Sequence, residues 1–545
     1  MIIIINKKVR CRKLRLFLDF LPEQGRCLGV ICMNIIEKYR EKIKGQLSGF
    51  DRIIINGFQR QLNNHRQFLF YLIQNNCQLK DFKPFAEEHT KSLCEHIDNI
   101  VKEENRPTYY VQSPKVNKDE IARNLLKEHP IDKGLVCAIS TMELCDTMTV
   151  KGNKQTKKLE VTRRPTKCKY YYLYMIDEEF GWMYLKIQTW FPFNVQIYLN
   201  GREYICTQLD KEGINYERYN NSLVDIDNVE RAQEISDHLQ NMNIERRFDG
   251  LVKKYVNLLP RFEEHLGHGY FWTVFECEYA TDIMFNTRQD LENIFPSLVE
   301  KAFFTFKCDD IMSFFGRKLD WKFQGEVVSD SRKRYQGFRI KHKMKSNQVK
   351  MYDKYSCLRI ETTINDPHEF KIFKYKYNEE TGEAVEGSGH WTPMGKSTSN
   401  LYRYAEVSKA TNMRYINALP LPVDTITPVK EIEKLSKSIT INERHISGFN
   451  ILEKETTKLL EIIASGDYIV NGITNKTLRC RVFKNEDFNS VRVRNKTTRL
   501  LSKLKSHGIL KKVNNSSKYY VTSEGRKITN AILLFKNINL PNNYA

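Results

Sequence analysis

Tyr352-Asp353-Lys354 and Arg359-Ile360-Glu361 bring a phenol, two carboxylates, an ammonium and a guanidinium close together in the chain. Both triplets touch runs that alternate like strands, Gln348–Tyr352 and Cys357–Ile364, with a short turn between them. Alternation sends Lys350 and Tyr352 to one face of the first strand and Asp353 to the other. A phenol with an ordinary pKa of roughly 10 becomes a nucleophile only with a base or a metal beside it, so acids must lie near. Glu276, Glu278 and Asp282, on the Phe271–Phe285 segment, can complete such a site. The candidate catalytic residues are therefore Tyr352, Lys354 and Arg359. The candidate ligands for Mg2+ or Mn2+ are Asp353, Glu361, Glu278 and Asp282. The same residue types also make ordinary charge pairs across a hairpin.

A second set of residues points to polyanions. Between Lys476 and Lys512 there are 12 lysines and arginines against two acids, Glu486 and Asp487. Periodicity predicts helices over Lys454–Ala464, Asn475–Phe483 and Val493–His507, the last stopped by Gly508. A hairpin of Ile509–Val513 and Lys518–Val521 follows, and Thr522–Arg526 opens another helix. Three helices, a basic hairpin and a helix make the layout of a winged helix-turn-helix. Arg492, Arg494, Lys496, Arg499 and Lys503 lie in or before the third helix, where base edges or phosphates would be met. Lys511, Lys512 and Lys518 belong to the wing. A winged helix used only for protein contact is the alternative.

The elements upstream must position the first set. From Met33 to about Met142 the pattern alternates helix and strand, which predicts a small α/β unit with parallel pairing. A helix is expected through Ile36, Tyr39, Ile43 and Leu47, ending near Ser48-Gly49, with a short strand at 52–56. Asn117 and Glu120 form a capping box for a helix to His129. Residues 150–166 read as a long hairpin or exposed loop, and 192–209 as a helix or a turn. Three alternating segments between Phe338 and Ile364 form a β-rich run. The stretch 378–399 reads as a loop, and no internal repeat is visible. The expected domains are 33–145 (α/β), 165–420 (mixed, with antiparallel strands) and 448–545 (winged helix), with 421–447 as linker. The fold class is thus α+β or α/β and multidomain. Residues 1–32, apolar first and basic second, read as a leader outside the fold.

Composition narrows the function. The 545 residues carry a formal charge of +21, which favours nucleic acid as a partner. No apolar run is long enough for a membrane span. The 13 cysteines have no zinc-ligand spacing and read as reduced thiols of a cytoplasmic protein. Arg332, Lys333, Arg334, Arg339, Lys341, His342, Lys343 and Lys345 suggest a second nucleic-acid surface. The basic, aromatic Lys169–Tyr174 is either a stacking strand or a half-buried sheet strand.

Two resemblances add to this reading. Leu501, Leu504, Gly508-Ile509-Leu510 and Lys512, followed by Tyr520-Val521-Thr522 and Gly525-Arg526, resemble the recognition helix and wing of MarR-type regulators. Phe50-Asp51-Arg52, Trp190 with Pro192-Phe193, Asn200-Gly201, Tyr279–Asp282, Gly316–Leu319, Gly337–His342, Lys350–Lys354 and Leu358–Thr363 resemble passages of a family of uncharacterised bacterial proteins, over nearly the whole chain after Met33. The Tyr352 and Arg359 triplets are also similar to strands of rolling-circle replication initiators, though more tightly spaced. That resemblance implies attack of a tyrosine on a DNA phosphodiester, aided by a carboxylate-bound divalent metal. The expected function is DNA binding for a mobile or plasmid-like element, with tyrosine-mediated nicking. The alternatives are a MarR-like regulator, compatible with a homodimer, whose N-terminal part senses or assembles, and an RNA-binding protein.

Overall fold

The computed structural model describes residues 35–533 with several gaps, the longest at 376–384 and 420–434. The expected leader lies outside the described residues, as do much of the 421–447 linker and of the 378–399 loop. The chain divides into two units, Lys42–Leu291 with Gln324–Met413, and Met1–Glu41 with Glu292–Phe323 and Arg414–Ala545.

In chain order the helices up to Ala418 are α1 (Ile35–Lys38), α2 (Arg60–Asn63), α3 (His65–Gln74), α4 (Phe82–Glu103), α5 (Lys118–Glu128), α6 (Gly201–Glu212), α7 (Val229–Asn241), α8 (Ile244–Tyr255), α9 (Leu259–Leu266), α10 (Arg288–Thr305), α11 (Cys308–Phe314) and α12 (Leu401–Ala418). The strands are β1 (Ile43–Phe58), β2 (Thr108–Val111), β3 (Gly134–Gly152), β4 (Leu159–Asp177), β5 (Gly181–Gln188), β6 (Val195–Asn200), β7 (Tyr216–Tyr219), β8 (Ser222–Ile226), β9 (Phe271–Phe285), β10 (Val327–Arg334), β11 (Gly337–Met344), β12 (Asn347–Lys354), β13 (Cys357–Ile364), β14 (Lys371–Lys374) and β15 (His390–Pro393). Eleven of them form one sheet in the order β10-β11-β12-β13-β9-β1-β6-β5-β4-β3-β2.

Several expectations change here. The helix expected to Leu47 is a single turn, α1, and the chain is already a strand from Ile43. β1 lies at the centre of the sheet, where Leu47, Ser48, Gly49, Phe50 and Asp51 are all buried. A strand buried on both faces loses its alternation, so its apolar residues mimic helical spacing. Parallel pairing is confined to β2 with β3; every other pairing in the sheet is antiparallel. The expected boundary at 145 falls inside β3, and strands from both expected domains share the one sheet. Residues 150–166 are the end of the β3–β4 hairpin. Across it Cys145 and Cys168 are joined as a disulfide, so these two thiols are not free as expected. Asn117 does cap α5, accepting from the Glu120 amide.

The sheet carries a repeat that the sequence conceals. β1 leads through helices to a four-strand meander, β3 to β6, whose last strand returns beside β1. β9 does the same, through β10 to β13, and β13 returns beside β9. Each meander is followed in the chain by a two-strand hairpin (β7–β8, β14–β15) and later a helix (α7, α12). β1 and β9 pair antiparallel at the centre, with Gly49 opposite Ala280. A local twofold through that pair carries Ser48 onto Tyr279 and Asp51 onto Asp282. Ser236 of α7 donates to the Ser48 carbonyl, and Asn412 of α12 donates to the Tyr279 carbonyl.

The two faces of the sheet differ. Ile53, Ile55, Ile197, Leu185, Leu173, Ile360, Met351 and Ile340 fill one face and are buried. Tyr171 on this face meets Asp98 of α4, and Thr362 meets Asn412 of α12. The opposite face is apolar toward β2, where Cys137, Ile139, Tyr172, Tyr174 and Trp182 pack on α5, and polar from β6 to β10, where it carries Arg52, Tyr198, Glu278, Arg359, Glu361, Lys350 and Tyr352. The tyrosines of Lys169–Tyr174 belong to the sheet: Tyr171, Tyr172 and Tyr174 are buried.

In the other unit, α13 (Lys454–Ile463), α14 (Gly466–Asn471), α15 (Asn475–Val482) and α16 (Val491–Ser506) precede a hairpin of two strands, Leu510–Lys512 and Tyr519–Val521. Leu460, Ile463, Leu478, Leu501, Leu504, Ile509 and Val521 form their common core. α11 belongs to this unit too. Asp310 accepts from the Asp467 amide at the start of α14, 2.7 Å, and Arg481 reaches Asp309 and Asp467, 2.8 and 3.0 Å.

Candidate functional site

Register brings the candidate residues together. Tyr352 pairs with Arg359, and Lys350 with Glu361. Arg359 pairs with Asp282, and Thr363 with Glu278. Directly opposed residues share a face, so Lys350, Tyr352, Lys354, Arg359, Glu361, Glu278 and Asp282 all stand on the polar one. β1 adds two more. Its register against β9 shifts between Phe50 and Ile53, a bulge that lets consecutive residues serve one face. Asp51 bonds Arg359, while Arg52 bonds Glu276 and Glu278.

The outcome is a carboxylate cluster. One oxygen from each of Asp51, Glu278 and Glu361 lies within 4.8 Å of the others. Three carboxylate oxygens at this spacing could hold a metal ion. Lys350 Nζ bridges Glu278 (2.9 Å) and Glu361 (2.7 Å). Arg359 reaches Asp51 and Asp282, both at 2.7 Å, and Arg202 at the start of α6 reaches Asp282 at 3.0 Å.

The protonation states differ within the cluster. Burial raises the Asp51 pKa to about 7 against the pull of Arg359, with Glu361 and Glu278 adding to the rise. Burial works against Glu361 as well, but Lys350 and Arg359 outweigh it and hold that carboxyl at about 2. Tyr352 is raised by burial and then by Glu361. Lys354, 5.2 Å over the Tyr352 ring, is lowered by burial and by Arg359.

An open cleft of about 550 Å3 gives access. Asp51, Glu278, Arg52, Tyr198 and Asn200 line it together with Arg218, Asn220 and Asn221 from the β7–β8 hairpin, and with Arg123 of α5. Asn200 caps α6 through the amides of Arg202 and Glu203.

Two candidate ligands stand elsewhere. Asp353 points to the opposite face, as alternation requires, and accepts from the Phe338 amide at the β10–β11 turn. It is not part of the cluster. Asp282 is on the right face but is fully buried and held by Arg359 and Arg202. Asp51 takes the place expected for them. Its signal was available in the Phe50-Asp51-Arg52 passage, but nothing in the sequence discloses the bulge that turns it inward. No family model, curated protein or solved structure matches this chain.

The second set divides as well. Arg492, Arg494 and Arg499 on α16, and Lys511, Lys512 and Lys518 on the hairpin, are exposed. Lys503 turns inward instead, with Nζ donating to the Gly448 carbonyl at 2.8 Å and standing 4.2 Å over the Phe449 ring. Lys496 pairs with Glu486 at 3.4 Å. The Lys496 pair is solvent-exposed, whereas Lys503 is taken up by packing. Among the described residues no helix is long and apolar enough to cross a membrane.

Proposed function

We propose that the chain binds DNA and cleaves a phosphodiester of it at the Asp51–Glu278–Glu361 cluster, in the service of a mobile or plasmid-like element. The observation that carries the reading is the meeting of those three carboxylates, from β1, β9 and β13, beside an arginine-lined cleft. A divalent ion held there would neutralise charge developing on phosphoryl oxygens. Tyr352 is the nucleophile of the proposal: it stands in one cross-strand row between Arg339 and Arg359, whose positive charge would favour a phosphate beside it. Its oxygen attacks phosphorus, the bond to one bridging oxygen breaks, and the phenol's proton ends on the leaving hydroxyl. Site choice falls to the C-terminal helices, read as a MarR-like winged helix-turn-helix with α16 as recognition helix and the following hairpin as wing.

A second reading has its own observation. With Asp51 ionised, Asp51, Glu276, Glu278, Asp282 and Glu361 match Arg52, Arg202, Lys350, Lys354 and Arg359 one for one, so above about pH 7 the network is neutral without any ion. A self-contained ion-pair network would make this unit a binding module and the chain a MarR-like regulator. Covalent trapping separates the two. With Mn2+ and labelled DNA, the full chain should acquire label resistant to denaturation, and Tyr352→Phe should not. Absence of a covalent adduct in every divalent metal, or an adduct that persists in Tyr352→Phe, would count against the tyrosine.

A further inference from the structure

We infer that the polar face of β10–β13 is a track for a DNA strand leading to the carboxylate cluster; this rests on the phosphodiester reading above and names the surface that would deliver the substrate. Register defines the track. Arg332 faces Arg339, which faces Tyr352, which faces Arg359. In the next row Asp330 faces Lys341, which faces Lys350, which faces Glu361. Lys343, opposite Val328 and Gln348, lies on the same face.

Cations directly opposite one another destabilise a sheet unless something neutralises them. Here a single carboxylate serves three of them. Asp330 lies 3.1 Å from Arg339, 2.8 Å from Lys341 and 3.8 Å from Arg332. With Lys343, four cations surround this one anion among the described residues of β10 and β11. Arg339 is 5% exposed, and its buried Nε has no hydrogen-bond partner among the described residues. A polyanion laid against exposed Arg332 and half-buried Lys341 and Lys343 supplies the missing counter-charge. Four strands at about 4.8 Å spacing make a track of about 14 Å, room for about four nucleotides at ~3.4 Å each.

Alternation also says which basic residues are off the track. Lys333, one residue from Arg332, points to the other face, and so does His342, which is buried against Ser329 at 2.8 Å. A basic segment that bound DNA by composition alone would not discriminate Arg332 from Lys333.

The test uses the full chain, metal-free, with fluorescent single-stranded and duplex DNA of one sequence, titrated across salt concentration. Replacing Arg332 and Lys343 together with Ala should flatten the log–log salt slope by about 1.4 for single strands or about 1.8 for duplex. Affinity at low salt should fall at least about tenfold. Lys333→Ala should leave slope and affinity as in the unaltered chain. Unchanged slopes in the double variant, or an equal loss in Lys333→Ala, would overturn the track. Arg332 and Lys333 are both exposed on an edge strand, and equal melting temperatures of the variants exclude a folding effect. Failure of cleavage with the expected slopes would remove the metal chemistry and keep the track; cleavage with unchanged slopes would do the reverse.

Discussion

Asp51 is the residue on which the site's pH behaviour turns. Its carboxyl holds a proton to about pH 7, whereas Glu361 is ionised above about 2. A cation must displace the Asp51 proton. Mn2+ affinity, measured by calorimetry, should therefore rise about tenfold per pH unit up to about 7 and then level off, and Asp51→Asn should abolish that dependence. The sign for metal-free stability is opposite. The unfolded chain loses this proton near its ordinary carboxylate pKa and the folded chain keeps it, so stability falls as pH rises from about 5 to 7, by up to about 1.4 kcal/mol per unit. Urea unfolding of Asp51→Asn should lack that slope. The sequence made Glu278, Glu361 and Tyr352 legible through strand alternation. Asp353 is no ligand, because strand alternation turns its carboxylate to the other face, where it accepts from the Phe338 amide.

At the scale of elements, Asn200-Gly201 joins β6 to α6 beside the bulge of β1. A Cβ on Gly201 would sit 2.3 Å from the Phe50 carbonyl oxygen, a backbone atom that cannot swing aside. Gly201→Ala should destabilise by about 1–3 kcal/mol or more, read as a lower urea midpoint, and should weaken Mn2+ binding by shifting Asp51. An unchanged midpoint would mean that β1 and α6 adjust freely. α16 allows a second prediction. Arg494→Ala and Arg499→Ala should each cost about 1–3 kcal/mol of DNA affinity if the side chain meets a base edge, whereas Lys503→Ala should act through stability, since Lys503 holds Gly448. Helices with caps and one apolar face, such as α5 and α16, were legible in the sequence. The second half of β1 was legible as the strand at 52–56, but 43–51 was not, because burial on both faces at 47–51 erases the period by which a strand is recognised.

For the whole molecule, the sequence suggested consecutive domains, but the chain leaves the sheet after β9 and returns at β10. α11, in the departed segment, packs on α14 through Asp310. No local pattern announces such a partner 157 residues away. Asp310→Ala leaves the Asp467 amide without that bond and should cost about 1–3 kcal/mol. Hydrogen exchange should then quicken around 466–482 while the sheet strands keep their protection. The repeat of β1–β6 in β9–β13 escaped the sequence for a related reason: its halves share a path and a central twofold, but their residues differ. β4 to β6 present tyrosines on the face where β10 to β13 present lysines and arginines, and the carboxylate cluster lies where the halves meet. Whether that junction is a catalytic centre is decided most directly by incubating supercoiled plasmid with the full chain and Mn2+. The account predicts nicked circles with Mn2+ or Mg2+, none with chelator, and none from Glu361→Gln at any metal concentration that sustains the unaltered chain. Plasmid left supercoiled by the unaltered chain in every divalent metal, or nicked equally by Glu361→Gln, would contradict it.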